Sequence, residues 1–332
     1  VLSPKTLKCD MEFTVLFIKR IHLIIPCRIY NTIESLQRKK MLKYKTTPWP
    51  TMEITTCVPA KGCIVDCVFC PQRTLEKKYT GERYLRLEEF KFLVDKIPTD
   101  VRITFAGFVE PWLNKECTDM LLHAHQKGHE VSVFTTGIGM TVEDVERIKH
   151  IPYAGMPNGG FCLHLPDSER LAKHPITDKF INVVKKFKEH ANTIRHFYVM
   201  SMGNELHESI RGIFEHAQVP VMWHRAGNLL GEAILKPEVM NYKDRFKSVF
   251  HGEEKRTCNC VERLYHNVML PNGDISLCCM DYNLESIIGN LYRQDYNELL
   301  PKPLSCFDIC RRCENGISPK ELEDEQNHSQ NN

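Results

Sequence analysis

The chain has 332 residues, with 44 Lys and Arg against 42 Asp and Glu, a hydrophobic fraction of 42% and a charged fraction of 26%. The near-balance of charge argues against attachment to nucleic acid or a membrane surface by bulk electrostatics, and the composition is globular rather than disordered or collagen-like. At about 100–200 residues per domain the length corresponds to roughly two domains. The outlying number is cysteine, at 15 residues, too many for an ordinary cytosolic enzyme and too few for a small disulfide scaffold.

Taken in chain order, residues 1–49 read as an N-terminal extension, and Met11 or Met41 is a candidate start. The apolar stretch 13–25 is interrupted by Lys19, Arg20 and His22 and has no small-residue cleavage site after it. It is shorter than the roughly 20 residues that span a bilayer, so it reads as a buried or amphipathic segment, with no leader and no membrane partner expected. A reducing, cytoplasmic compartment follows, in which clustered thiols are metal ligands rather than disulfides.

From 50 to 250 short β-rich runs alternate with helical patterns. The expected strands are 51–56, 101–106, 131–135, 160–165, 196–200 and 219–224; the expected helices are 85–96, 114–127, 141–150, 179–190 and 205–217, with Thr141 and Asp144 in capping-box relation. Strand and helix in alternation give an α/β fold with parallel strands, and six units fall short of the roughly 250 residues of a closed eight-unit barrel. The expected architecture is a partial (β/α)6 TIM-like barrel. Residues 251–316, which hold seven of the 15 cysteines, form a small domain that folds around metal. Residues 317–332 are polar and aperiodic and read as a disordered tail.

The first cysteine group is Cys63, Cys67 and Cys70, spaced C-x3-C-x2-C directly after the first expected strand. Structural zinc closes its site with four protein ligands, whereas three thiolates can hold three irons of a [4Fe–4S] cluster and leave the fourth iron open to a chelating ligand. With Phe69 before the last cysteine, this motif resembles that of the radical S-adenosylmethionine (SAM) superfamily. The resemblance implies that Cys63, Cys67 and Cys70 bind the cluster, that SAM chelates its open iron and that Phe69 lies near the adenine. The implied chemistry is reductive cleavage of SAM to a 5′-deoxyadenosyl radical, which abstracts a hydrogen atom from substrate, with a flavodoxin- or ferredoxin-type protein as electron donor.

Weaker marks stand at the ends of later strands. Gly107 and Glu110 resemble the family's glycine-glycine-glutamate segment, whose backbone and carboxylate hold the SAM amino group, although Val109 replaces the usual glycine. Thr136 stands in the asparagine place of a Thr-Asn-Gly segment, and Arg225 sits where a cation would meet the SAM carboxylate or substrate. His164 and Ser201 lie at analogous strand ends and face either SAM and substrate or their own hydrogen-bond partners in the barrel mouth.

The second group is Cys258, Cys260, Cys278, Cys279, Cys306, Cys310 and Cys313. Residues 273–278 read as a hairpin turn feeding a strand that delivers a thiol, and Cys310 and Cys313 form a C-x2-C knuckle. The best single ligand set is Cys260, Cys278, Cys310 and Cys313, with Cys258 and Cys279 as the nearest competitors and Cys306 belonging to the knuckle or to nothing, and spacing alone suits zinc as well as an iron–sulfur cluster. The run Cys278-Cys279-Met280-Asp281, followed by Gly289-Asn290-Leu291, resembles the SPASM or shorter twitch extensions of radical SAM enzymes. That resemblance implies auxiliary [4Fe–4S] clusters, and the cysteines available fit one such cluster better than the full two-cluster form. Asp281 is either a proton acceptor in substrate oxidation or a turn-stabilising carboxylate. Cys9, Cys27, Cys117 and Cys162 read as buried small hydrophobes, and Cys57 has no assigned ligand role. The function expected is oxidation or modification of a C–H bond in a peptide or small molecule. The competing reading is a non-catalytic iron–sulfur or zinc protein; a zinc-dependent nucleic-acid binder is disfavoured by charge.

Overall fold

A computed structural model of the chain describes residues 50–67, 70–155, 159–201, 205–214 and 266–299. The expected strand 219–224, Phe69, Arg225 and the cysteines at 258, 260, 306, 310 and 313 lie outside the described residues, as do the N-terminal extension and the C-terminal tail.

Five runs rich in β-branched and aromatic residues form parallel strands: β1 (Thr51–Ile54), β2 (Arg102–Phe105), β3 (Val131–Thr135), β4 (Phe161–Leu165) and β5 (Phe197–Ser201). Between β1 and β2 run the helices α1 (Gln72–Lys78) and α2 (Leu87–Val94). Then α3 (Cys117–Gln126), α4 (Val142–Ile148) and α5 (Asp178–Glu189) separate the later strands, and α6 (Glu208–Arg211) follows β5. Each strand pairs in parallel with the next, in the order β5-β4-β3-β2-β1. Parallel strands taken in sequence order, each joined to the next through helices, form a sector of a β/α barrel.

The period of two along each strand separates two faces. Met52, Ile54, Ile103, Phe105, Val131, Val133, Phe161 and Leu163 pack with Phe90, Leu93, Met120, Leu121, Val145, Val184 and Phe187 of the helices. Burying each such side chain contributes about 1.5–3 kcal/mol. On the opposite face the same strands carry Glu53, Thr104, Ser132 and His164, with Thr104 and Ser132 hydrogen-bonded at 2.6 Å. Helix starts follow their capping residues. The Thr141 hydroxyl accepts from Asp144 N at 3.1 Å while Asp144 accepts from Thr141 N at 2.7 Å, as the sequence predicts, and Thr177 caps α5 through Phe180 N.

The hairpin expected in the cysteine-rich segment is present, but its strands extend the barrel sheet. β6 (His266–Met269) pairs in parallel with β1 on the side away from β2, β7 (Asp274–Ser276) returns antiparallel to β6, and β8 (Ile287–Asn290) pairs with β7. Gly273, at φ +77°, allows the left-handed turn between β6 and β7. The result is one eight-stranded sheet in which β1 has neighbours on both sides. The pairing satisfies a backbone edge that β1 would otherwise leave open. No helix among the described residues is long and apolar enough to cross a membrane.

Candidate active site at the strand ends

The chain leaves β1 through Thr55 and Thr56 and coils into the cysteine loop. Gly62 (φ +73°) and Asp66 (φ +44°) take left-handed conformations, and the loop closes on itself through Asp66 N to Cys63 O and Cys70 N to Cys67 O, each 3.1 Å. Cys63, Cys67 and Cys70 are thereby gathered on one half-buried coil, none of them in a disulfide. Burial pushes the Cys63 thiol up to about 12, against hydrogen bonds from the backbone of Glu110 and Val65 that favour its thiolate. A sulfur that is withdrawn from water yet faces backbone donors suits a metal-bound thiolate, because the metal replaces the proton and its charge offsets the burial. The loop therefore fits a cluster with three cysteine ligands.

The loop after β2 packs directly against this coil. Gly107 has φ +67°, and a Cβ there would collide with the Thr55 side chain and backbone, so only glycine lets the loop come this close to β1. Phe108 N donates to Thr55 Oγ1 at 3.1 Å, and the Phe108 carbonyl accepts from Gln72 Nε2. Gln72 Oε1 is a buried acceptor with no hydrogen-bond partner among the described residues, a vacancy that a bound donor would satisfy. Asn114 anchors the end of the loop, donating from Nδ2 to Thr56 O (2.9 Å) and Leu85 O (2.7 Å).

Glu110 is buried and turned towards β3. Its Oε1 accepts from Trp112 N at 3.2 Å and from the Thr135 hydroxyl, and its Oε2 accepts from both Thr136 N and Thr136 Oγ1 at 2.7 Å. Four donors fill the lone-pair sites of a carboxylate. Burial raises its pKa, and these hydrogen bonds oppose the shift. In this arrangement Glu110 and Thr136 are partners of each other, with Cys63 close by through the Glu110 backbone.

His164 and Ser201 fall on different faces. Along β4, His164 alternates with the helix-packed Leu163 and Leu165, which places it on the polar face with Glu53 and Thr104. Ser201 pairs with Leu165 at the end of β5 and shares the face of Phe197 and Val199; its hydroxyl is buried without a partner among the described residues. His174, in the loop after β4, places Nε2 3.0 Å from the His164 carbonyl and Nδ1 3.2 Å from Ala172 O. Buried Asp167 holds the same loop by accepting from Leu171 N and Ala172 N.

The C-terminal segment reaches the site from the other side of β1. Cys278 and Cys279 follow β7, are buried, and belong to one apolar cluster with Val58, Leu75, Phe108, Val268 and Tyr282, against which Cys63 and Cys70 pack. Asp281 accepts from Glu285 N, Ser286 N and Ser276 Oγ at 2.9, 2.8 and 3.1 Å, and burial raises its pKa to about 6. These contacts are those of a carboxylate that fixes the turn after Cys279. Cys57, Cys117 and Cys162 are buried. Sequence reasoning did not single out Thr55, Gln72, Asn114, His174 or Tyr282. Gln72 directly after Cys70-Pro71 and Asn114 four residues after Glu110 were the available signals.

Three comparisons bear on this geometry. A comparison with curated proteins finds no match. Solved structures similar to this chain include BtrN in complex with AdoMet and 2-DOIA, at 15% identity and TM-score 0.47 over 80% of this chain and 93% of that one. Another is Streptococcus suis SuiB bound to precursor peptide SuiA, at 14% and 0.47 over 87% and 76%. A third is native anSMEcpe with bound AdoMet, at 12% and 0.46 over 80% and 88%. Residues 57–217, which carry the cysteine loop and strands β2 to β5, match the family described as Radical SAM superfamily. The match places residues 57–217 in the radical SAM superfamily, whose enzymes use SAM and a [4Fe–4S] cluster.

Proposed function

We propose that the chain oxidises or otherwise modifies a C–H bond of a peptide or small molecule, using one cluster on Cys63, Cys67 and Cys70 and an auxiliary [4Fe–4S] cluster to which Cys278 contributes. Bound at the first cluster, SAM supplies a 5′-deoxyadenosyl radical on one-electron reduction. The chain's own residues hold the cysteine coil against the loop after β2, through Thr55, Gln72 and the Glu110 backbone. His164 stands with Glu53 and Thr104 on the polar face of the sheet, beside which substrate is expected to lie. Phe69 is proposed beside the adenine and Arg225 near the SAM carboxylate. A flavodoxin- or ferredoxin-type protein is proposed as the electron donor.

The observation that carries the auxiliary cluster is the position of Cys278. β7 delivers it beside the first cysteine loop, within the apolar cluster that Cys63 and Cys70 also border. Its remaining ligands are proposed to be Cys260, Cys310 and Cys313. Iron and sulfide analysis after anaerobic reconstitution tests this: about eight irons per chain are expected, falling to about four in Cys278→Ala. About four irons with one zinc in the unaltered chain would overturn the auxiliary cluster in favour of a zinc site.

A further inference from the structure

Tyr282 joins the two cysteine regions. Its hydroxyl lies 3.8 Å from Cys70 Sγ, within hydrogen-bonding reach of a sulfur, although the two residues are 212 positions apart in sequence. The side chain is fully buried, and its ring meets Phe108 edge-on, with centroids 4.7 Å apart. Phe108 is itself held to β1 through Thr55, so the ring is seated against the loop that packs on the cysteine coil.

The backbone at Tyr282 is equally constrained. Asp281 N donates to Cys278 O, Tyr282 N to Met280 O and Leu284 N to Asp281 O, at 3.1, 3.0 and 3.1 Å. The Asp281 carboxylate locks the far side of this turn through Glu285 N and Ser286 N. A turn fixed at this many points presents the phenol in one place, so little side-chain entropy remains to be lost when it meets the sulfur.

The chemistry then sets the direction of the hydrogen bond. A cysteine that ligates iron is a thiolate and has no proton to give, so the tyrosine O–H must be the donor. A hydrogen bond to a cluster sulfur stabilises the more negative, reduced state and raises the reduction potential. We propose that Tyr282 is a positioning residue for the first cluster: its hydroxyl donates to Cys70 Sγ, so that the segment bearing Cys278 and Cys279 sets how readily that cluster accepts its electron. This rests on the assignment of Cys63, Cys67 and Cys70 as cluster ligands.

The test is an electron-paramagnetic-resonance redox titration of the full reconstituted chain and of Tyr282→Phe. To keep the two clusters' signals apart, it is run in a Cys278→Ala background as well as in the unaltered chain. Phenylalanine keeps the ring against Phe108 and removes only the hydroxyl. The expected result is normal cluster loading with the reduced-to-oxidised ratio of the first cluster lowered by up to about tenfold at a fixed potential, about 59 mV for one electron. In the unaltered chain, electron-nuclear double resonance is expected to show an exchangeable proton coupled to that cluster, lost in Tyr282→Phe; this second measurement needs only partial loading. An unchanged ratio and an unchanged proton coupling in a loaded variant would overturn the role of Tyr282 while leaving the ligand assignment intact. Failure of the unaltered chain to load any cluster would overturn both.

Discussion

Glu110 and Thr136 are joined twice: one carboxylate oxygen accepts from both the backbone N–H and the hydroxyl of Thr136, each at 2.7 Å. The pair ties the loop after β2 to the end of β3, while the other oxygen holds Thr135 and Trp112. With four donors already committed, the carboxylate's first effect is on the shape of the loop that touches Cys63.

Glu110→Ala strips partners from two backbone N–H groups in a buried place, and the expected loss is about 3 kcal/mol of stability. Anaerobic urea denaturation measures it. Glu110→Gln is expected to fall between, since an amide keeps one acceptor but sets an NH2 against donors. Unchanged stability in both variants, with SAM affinity alone reduced, would mean that the carboxylate instead contacts the ligand.

The site was legible in the sequence where it is local. Cys63, Cys67 and Cys70 lie within eight residues, so spacing alone brings them together, and the capping pair Thr141 and Asp144 spans one helical turn. The strands β1 to β5 announced themselves by composition to within a few residues. The pairing of β6 with β1 did not, because it joins Thr51 to His266 across the whole chain and nothing local encodes which strand edge a hairpin will cover. Glu110 and Thr136 were each singled out, yet their union depends on β2 and β3 standing side by side. The place of Ser201 at a strand end is legible in the sequence, but the face it takes is set by its register with Leu165. Helix α1 leaves little periodic signal in the sequence, because it starts directly behind the cysteine motif at Pro71 and buries only Gln72 and Leu75.

His174 gives the loop after β4 a dependence on pH. Burial holds its pKa below the ordinary histidine value; the carbonyls of Ala172 and His164 and the charge of Asp167 oppose that shift, while Arg170 adds to it. The folded state therefore takes up a proton less readily than the unfolded chain. Its contribution to stability is full above the unfolded value of about 6.5 and is lost as pH falls from there through the lowered folded value. His174→Gln has no proton to gain. Denaturation midpoints should show the unaltered chain ahead of this variant at pH 7.5 and the gap narrowing at pH 5.5. A gap that widens with acid would show that His174 is charged in the fold.

The central claim is that the coil bearing Cys63, Cys67 and Cys70 supports reductive cleavage of SAM. Anaerobically reconstituted protein, incubated with SAM and dithionite, should release 5′-deoxyadenosine, and Cys67→Ala should release none above the protein-free background. Equal release from the two proteins, or background release from both, would contradict the account.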